Sequence, residues 1–271
     1  MRRAFTMASL SALALLLAAA GGSGCSSDAG LLPADGGAGS GGSASAGTGG
    51  GGGTAMVNCG GSAAVDPTAT IDDMEMPDYM TVRAAGRSGA WWAGGDDKSP
   101  GADIVPKGDA PAEMVPGGRC GSNYAMHVTG HGYAEWAVLS VSMGWGSVDG
   151  GAEGLLPNDN GFRTGVTFWA RIGDTSSNKV RLAISDKYSR PEGGVCVLDG
   201  PTDVACYDTF GVDLTQLDTG WKQYRIPFGG LTQRNFGLKR TALDSSTIYT
   251  VEFQFNPTSV FDFWLDDLAF Y

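Results

Sequence analysis

Trp169, Arg171, Arg181, Gln223, Arg225 and Gln254 each alternate along the chain with strongly apolar residues. Successive side chains of an extended strand point to opposite faces, so this spacing turns rings, guanidinium groups and amides outward together. Sugars are gripped by groups of this kind: aromatic faces stack on the C–H side of a pyranose ring, and planar polar groups hold adjacent hydroxyls. Asp186 and Tyr188 follow directly on the Arg181 segment, and Trp91 and Trp92 offer further rings. Trp91, Trp169, Arg181, Asp186, Tyr188 and Gln254 are therefore the candidate carbohydrate-binding residues. Trp264 and Trp221 are read as packing, the commoner role of a Trp on a sheet.

Little in the sequence suits catalysis. There is no G-x-S-x-G, no H-E-x-x-H, no phosphate-binding loop and no Cys/His pair suited to a nucleophile. The two histidines, His127 and His131, have no evident third partner. A carboxylate pair could hydrolyse a glycoside across about 5–9 Å, so a polysaccharide hydrolase stays as a weaker alternative to a binding module. Charge narrows the partners further. With 18 Lys and Arg against 29 Asp and Glu, the formal net charge is −11, which repels nucleic-acid phosphates and anionic lipid headgroups alike.

The elements that must carry these residues read as strands. From about residue 58, apolar/polar alternation is punctuated by Gly, Asn, Asp and Pro clusters, and no stretch keeps a 3.6-residue apolar period over three turns. Strands are expected near 71–76, 90–96, 124–129, 135–143, 166–172, 179–185, 222–228, 247–255 and 261–270. Parity puts Val166, Phe168, Ala170 and Ile172 in one core with Val180, Leu182, Ile184, Tyr224, Ile226, Phe228, Val251, Phe253 and Phe255. The fold class is all-β, a β-sandwich over residues 58–271.

The first 57 residues have a different character. Arg2 and Arg3 precede an apolar run from Ala4 to Ala20, and small residues lead into Cys25, the layout of a secretory signal peptide over residues 1–24. Gly22-Ser23-Gly24-Cys25 resembles the lipobox at which bacterial lipoproteins are cleaved and lipidated on the Cys. Ser26 lacks the Asp that commonly retains lipoproteins at the inner membrane, so the expected location is the outer membrane or cell surface, with secretion as the alternative. Residues 25–57 are Gly, Ser and Ala with few large apolar side chains, a disordered tether spanning roughly 30 Å by the scaling for Gly-rich chains.

Cysteine parity agrees with export. Five cysteines are present, and lipidating Cys25 leaves an even set, Cys59, Cys120, Cys196 and Cys206. Three pairings are open. Cys196 with Cys206 is preferred because it closes the shortest loop across a turn-rich segment, which leaves Cys59 for Cys120. Without a C-x-x-C and with two histidines, disulfides in an oxidising compartment suit these residues better than zinc.

Ile71-Asp72-Asp73-Met74-Glu75 opens the domain, Gly86-Arg87-Ser88-Gly89-Ala90-Trp91-Trp92 follows, Gly165-Val166-Thr167-Phe168-Trp169-Ala170-Arg171 lies in the middle, and Phe263-Trp264-Leu265-Asp266-Asp267-Leu268-Ala269-Phe270 closes it. In this order the segments resemble galactose-binding-like jelly rolls, most of all carbohydrate-binding module family 11, and similar domains on tethered myxobacterial lipoproteins. The resemblance covers about residues 66–271 and implies a jelly-roll sandwich, a structural calcium ion and a concave sheet face that binds β-glucan. Calcium takes six to eight hard oxygen ligands, and Asp73, Glu75 and Asp266 from the two ends of the domain are the candidates. Asp266 shares strand parity with Leu268 and Phe270, so it is expected to point inward. An insertion from Lys98 to Gly118, rich in Pro and Gly, is placed to cover or reshape a cleft. The expected molecule is a monomeric, non-catalytic, glycan-binding lipoprotein; a surface adhesion or scaffold domain contacting protein is the alternative.

Overall fold

Alternating β-branched and aromatic residues are broken by Gly- and Pro-rich segments, and among the described residues the computed structural model shows strands joined by turns and three short 3-10 segments. It describes residues 66–96, 100–107, 113–114, 118–119, 122–147, 153–177 and 179–271. The signal peptide, Cys25, the tether, Cys59 and Cys120 lie outside the described residues. No helix among the described residues is long and apolar enough to cross a membrane.

The strands are β1 (Thr70–Asp72), β2 (Trp91–Gly95), β3 (Asp103–Val105), β4 (Glu113–Met114), β5 (Tyr124–His131), β6 (Ala137–Ser142) and β7 (Gly144–Ser147). They continue with β8 (Glu153–Leu156), β9 (Gly165–Ile172), β10 (Val180–Ser185), β11 (Phe210–Leu214), β12 (Lys222–Pro227), β13 (Thr250–Phe255) and β14 (Phe261–Phe270). One sheet runs β12-β9-β14-β5-β3, with β1 added on β14 and β4 on β5; the other runs β11-β10-β13-β6-β2. Strands β7 and β8 form a separate hairpin.

The two sheets pack face to face. Phe168 of β9 meets Phe253 of β13 edge-on with ring centres 5.1 Å apart, and Phe255 of β13 stacks on Phe261 of β14 at 4.0 Å. All the residues that parity placed inside join this core, Ile226 and Phe228 at its margin. Emptying one such Phe site would cost roughly 3–5 kcal/mol. All nine expected strands are present, and β3, β4, β7, β8 and β11 add to them. Part of the insertion forms β3, which pairs with β5 at the edge of the seven-stranded sheet.

Parity fails at one place. Asp266 pairs with Trp169 and Ala269 with Thr167, so Asp267 and Leu268 together oppose the single residue Phe168. This is a β-bulge, with Asp267 at φ 50°. The extra residue puts Asp266 on the face of Trp264, away from the core, while Leu268 and Phe270 return to it. Asp266 is nevertheless fully buried.

Candidate functional site

The outward face of the five-stranded sheet forms the floor of a cleft of about 1370 Å³. Ser140 and Ser142 of β6 and Thr250, Glu252 and Gln254 of β13 line the floor. Tyr79, Trp92 and Trp136 stand on the β2 side, Tyr207, Arg234 and Phe236 on the β11 side, and Trp145 of the β7-β8 hairpin at one end. Among the described residues seven large aromatic side chains are exposed, and six of them line this cleft, all except Phe162.

Each ring is set by its local backbone. On β2, Trp91 and Ala93 face the core, which sends Trp92 outward. Trp92 then folds along its own strand, and Gly94 makes room: a Cβ there would lie 2.5 Å from the indole Cζ2. Trp136 sits with its ring centre 6.2 Å from that of Trp92, tilted by 34°. The buried Asp96 carboxylate holds its loop by accepting the Glu135 and Trp136 amides at 2.9 and 3.3 Å. Tyr207 follows the Cys196–Cys206 disulfide, which the structure forms with a Cα separation of 5.0 Å. Its amide donates to the Ser189 carbonyl at 2.8 Å. Phe236 rides on a turn anchored by buried Asp208, whose carboxylate accepts the amides of Arg234, Phe236 and Gly237 at 2.8–3.2 Å.

The carboxylates of the cleft are engaged by the protein. Glu252 accepts from the Thr250 hydroxyl at 2.8 Å and from the Gln254 amide at 3.1 Å, and Glu192 holds Arg190 at 3.2 Å. The floor therefore presents fixed hydroxyl, amide and carboxylate groups between rings, an arrangement that fits pyranose faces and hydroxyl edges.

Of the six candidate sugar-binding residues, the structure brings one, Gln254, into the cleft. Trp91 is a core residue, 1% exposed, whose indole N–H donates to Asp72 at 2.6 Å. Its neighbour Trp92 takes the outward place. Trp169 does point away from the core, yet it is only 8% exposed, because the Arg119 guanidinium lies 4.8 Å from its ring centre. Arg181 is outward on β10 but covered: it donates to the Thr232 carbonyl at 2.6 Å and approaches Asp213 at 3.5 Å. Burial, and then the neighbouring Arg234 charge, hold its pKa below the ordinary arginine value. Asp186 is fully buried and holds a turn, accepting from Tyr188, Ser189 and Asp244 amides. Tyr188 lies under Arg240, 4.0 Å from its ring centre, outside the cleft. Tyr79, Trp136, Trp145, Tyr207 and Phe236 escaped sequence reasoning because all but Trp145 stand on loops, where alternation carries no signal.

The acidic candidates for calcium are each engaged within the protein. Asp73 accepts the Glu75 amide at 3.2 Å, and Glu75 accepts the Asn123 backbone and side-chain amides. Asp266 accepts the Asp267 amide at 2.9 Å, and Asp267 pairs with Arg119. Among the described residues no three His, Cys, Asp or Glu side chains gather to hold a metal ion. With a guanidinium already placed among them, these residues do not fit a calcium centre as they stand. Asp266 keeps one buried carboxylate oxygen without a partner, and burial, then Asp267, push its pKa up to about 7.

The part of the insertion that the structure describes does not line the cleft. On the opposite sheet, Arg171 lies 4.2 Å from the Trp264 ring centre and 5.3 Å from that of Trp221, and His127 stacks on Trp264 at 3.5 Å. Both Trp residues read as packing are thus stacked against neighbours.

No protein-family profile matches the chain, and no curated protein matches it. Solved structures similar to it include the family 11 carbohydrate-binding module from Clostridium thermocellum in complex with a β-1,3-1,4-mixed-linked tetrasaccharide, at 16% identity and a TM-score of 0.46, covering 74% of this chain and 94% of that one. Another is the family 30 carbohydrate-binding module of a Clostridium thermocellum cellulosomal cellulase, at 14% identity and a TM-score of 0.41, covering 67% of this chain and 90% of that one.

Proposed function

We propose that the cleft over the five-stranded sheet binds a polysaccharide chain without cleaving it, and that the backbone it accepts is a β-glucan-like run of flat pyranose rings. The observation that carries this reading is the gathering of six of the seven exposed aromatic side chains around one groove with a polar floor. Exposed rings are costly in water unless a ligand covers them, and scattered exposure would carry no such meaning. The β-glucan class follows from the sequence segments that resemble family 11 modules. Export, lipidation at Cys25 and a Gly-rich tether would hold the module, as a monomer, on the outer membrane or cell surface.

Affinity electrophoresis on soluble mixed-linked β-glucan tests the reading. Trp92→Ala and Trp136→Ala should each lose most of the retention while stability changes by less than about 1 kcal/mol, as expected for exposed side chains. Retention unchanged in both variants would overturn it. A wild-type protein that ignores every glycan but captures a protein partner would favour the adhesion alternative.

A further inference from the structure

The described part of the chain holds ten arginines. Five grip a carboxylate or a backbone carbonyl, and three lie over aromatic rings. The remaining two, Arg83 and Arg234, are exposed and have no ion-pair, side-chain hydrogen-bond or ring partner among the described residues; both line the cleft. They stand at opposite walls. Arg83 is beside the start of β2, next to the Met80–Ala90 bridge, and Arg234 follows the Gly211–Thr232 bridge on β11. Strands β2 and β11 are the two edges of the sheet, roughly 19 Å apart at four strand spacings of about 4.8 Å.

Four carboxylates line the cleft, Glu135, Glu192, Asp208 and Glu252, and the last three are held by the protein's own donors. Glu192 holds Arg190, Glu252 holds Thr250 and Gln254, and Asp208 holds three backbone amides. Hydrogen bonds from neutral donors leave those carboxylates charged, so the groove is not positive as a whole; Arg83 and Arg234 are the cationic groups lining it that no described residue engages, in a chain that carries −11. A free guanidinium is a planar fork that matches a carboxylate or sulfate with two parallel hydrogen bonds, a geometry that a single sugar hydroxyl cannot use fully.

Resting on the polysaccharide reading above, we infer that the preferred ligand is an acidic glycan, a pyranose chain bearing carboxylate or sulfate groups that Arg83 and Arg234 receive at the two walls. The rest of an acidic protein repels such a polymer, so binding would be confined to the cleft.

One parent β-glucan prepared in three forms, neutral, oxidised to carboxylate at C6, and sulfated, tests this with the full-length protein. Retention of the carboxylated or the sulfated form should exceed that of the neutral parent about tenfold or more, the factor expected from one good charge-assisted contact. Which of the two is favoured identifies the anion. The preference should shrink in about 0.5 M salt, where exposed charges are screened. The Arg83→Gln, Arg234→Gln double variant should bring the ratio of anionic to neutral binding close to one; Arg83→Lys with Arg234→Lys should keep part of it. A neutral glucan retained as well as the anionic forms, or a preference surviving in the Gln variant at unchanged melting temperature, overturns the acidic ligand and leaves the polysaccharide reading standing. Retention of none of the three overturns both.

Discussion

Asp266 is a carboxylate placed where water does not reach, beside a second carboxylate, with one oxygen unpartnered. Burial and then Asp267 push its pKa up to about 7, and burial pushes Asp72 up to about 6. Unfolded carboxyls titrate near 3.9, so between about pH 4 and pH 7 the native state holds more protons than the unfolded one. Stability is then highest near pH 4 and falls as pH rises through the two native values. The groups facing Asp266 are Asp267, Arg119 and the Ser122 hydroxyl, and Asp73 and Glu75 add negative charge around Asp267. Thermal melts from pH 4.5 to 7.5 should show this decline, and Asp266→Asn should flatten its upper part and raise the melting temperature at pH 7.5. If calcium instead neutralises the carboxylate, EDTA will lower the wild-type melting temperature and leave that of Asp266→Asn alone. Residue identity foretold the acidic ends of the domain but not this outcome, because a single bulged residue, Asp267, decides which way Asp266 points. At the Trp91-Trp92 pair the sequence requires one ring in and one ring out. The choice is settled by which neighbour shares each ring's face, Ala93 in the core or Gly94 under Trp92.

At the scale of elements, the nine expected strands are found because their alternation spans five or more residues between strong breaks, with β1 the shortest survivor. The missed strands are short or carry Gly, as in Gly211 of β11 and Gly144 and Gly146 of β7, and glycine blurs the alternation. Parity named the core of β9, β10 and β13 correctly. It could not say which of two outward faces stays open, since that depends on loops: Arg119 covers Trp169 on one sheet, whereas the loops beside the other sheet stand back and present rings. One such loop is built under strain. Tyr207 follows Cys206 directly and holds φ 70°, a left-handed conformation that costs a side chain of this kind on the order of 1 kcal/mol or more and suits glycine. Its ring is 48% exposed, and its ring contact is Arg190, 5.4 Å from the ring centre, so packing offsets only part of that cost. Tyr207→Gly should therefore leave stability level or raise it by up to about 1 kcal/mol, while glycan retention falls because a wall of the cleft is gone. Circular-dichroism melts and affinity electrophoresis on the same samples read the two effects separately. A marked loss of stability would show that the ring is a packing residue.

At the scale of the molecule, the two faces of the sandwich divide the work. The outer face of the seven-stranded sheet closes on itself through the Trp221, Arg171, Trp264 and His127 stack and through Arg119 over Trp169. The opposite face keeps its rings and two free guanidinium groups open. The first described strand, β1, pairs with β14 in the seven-stranded sheet, not in the sheet that carries the cleft. The proposed lipidation of Cys25 and the proposed glycan binding in the cleft can therefore be tested separately. If Cys25 is lipidated as proposed, Cys25→Ser should move the protein from the membrane fraction to the soluble fraction of expressing cells, because a diacyl chain supplies strong membrane attachment. Its glycan affinity and melting temperature should equal those of the lipidated protein in detergent. Membrane association that persists in Cys25→Ser would remove lipidation from the account. Glycan affinity that falls with the anchor would show that tether and cleft are coupled.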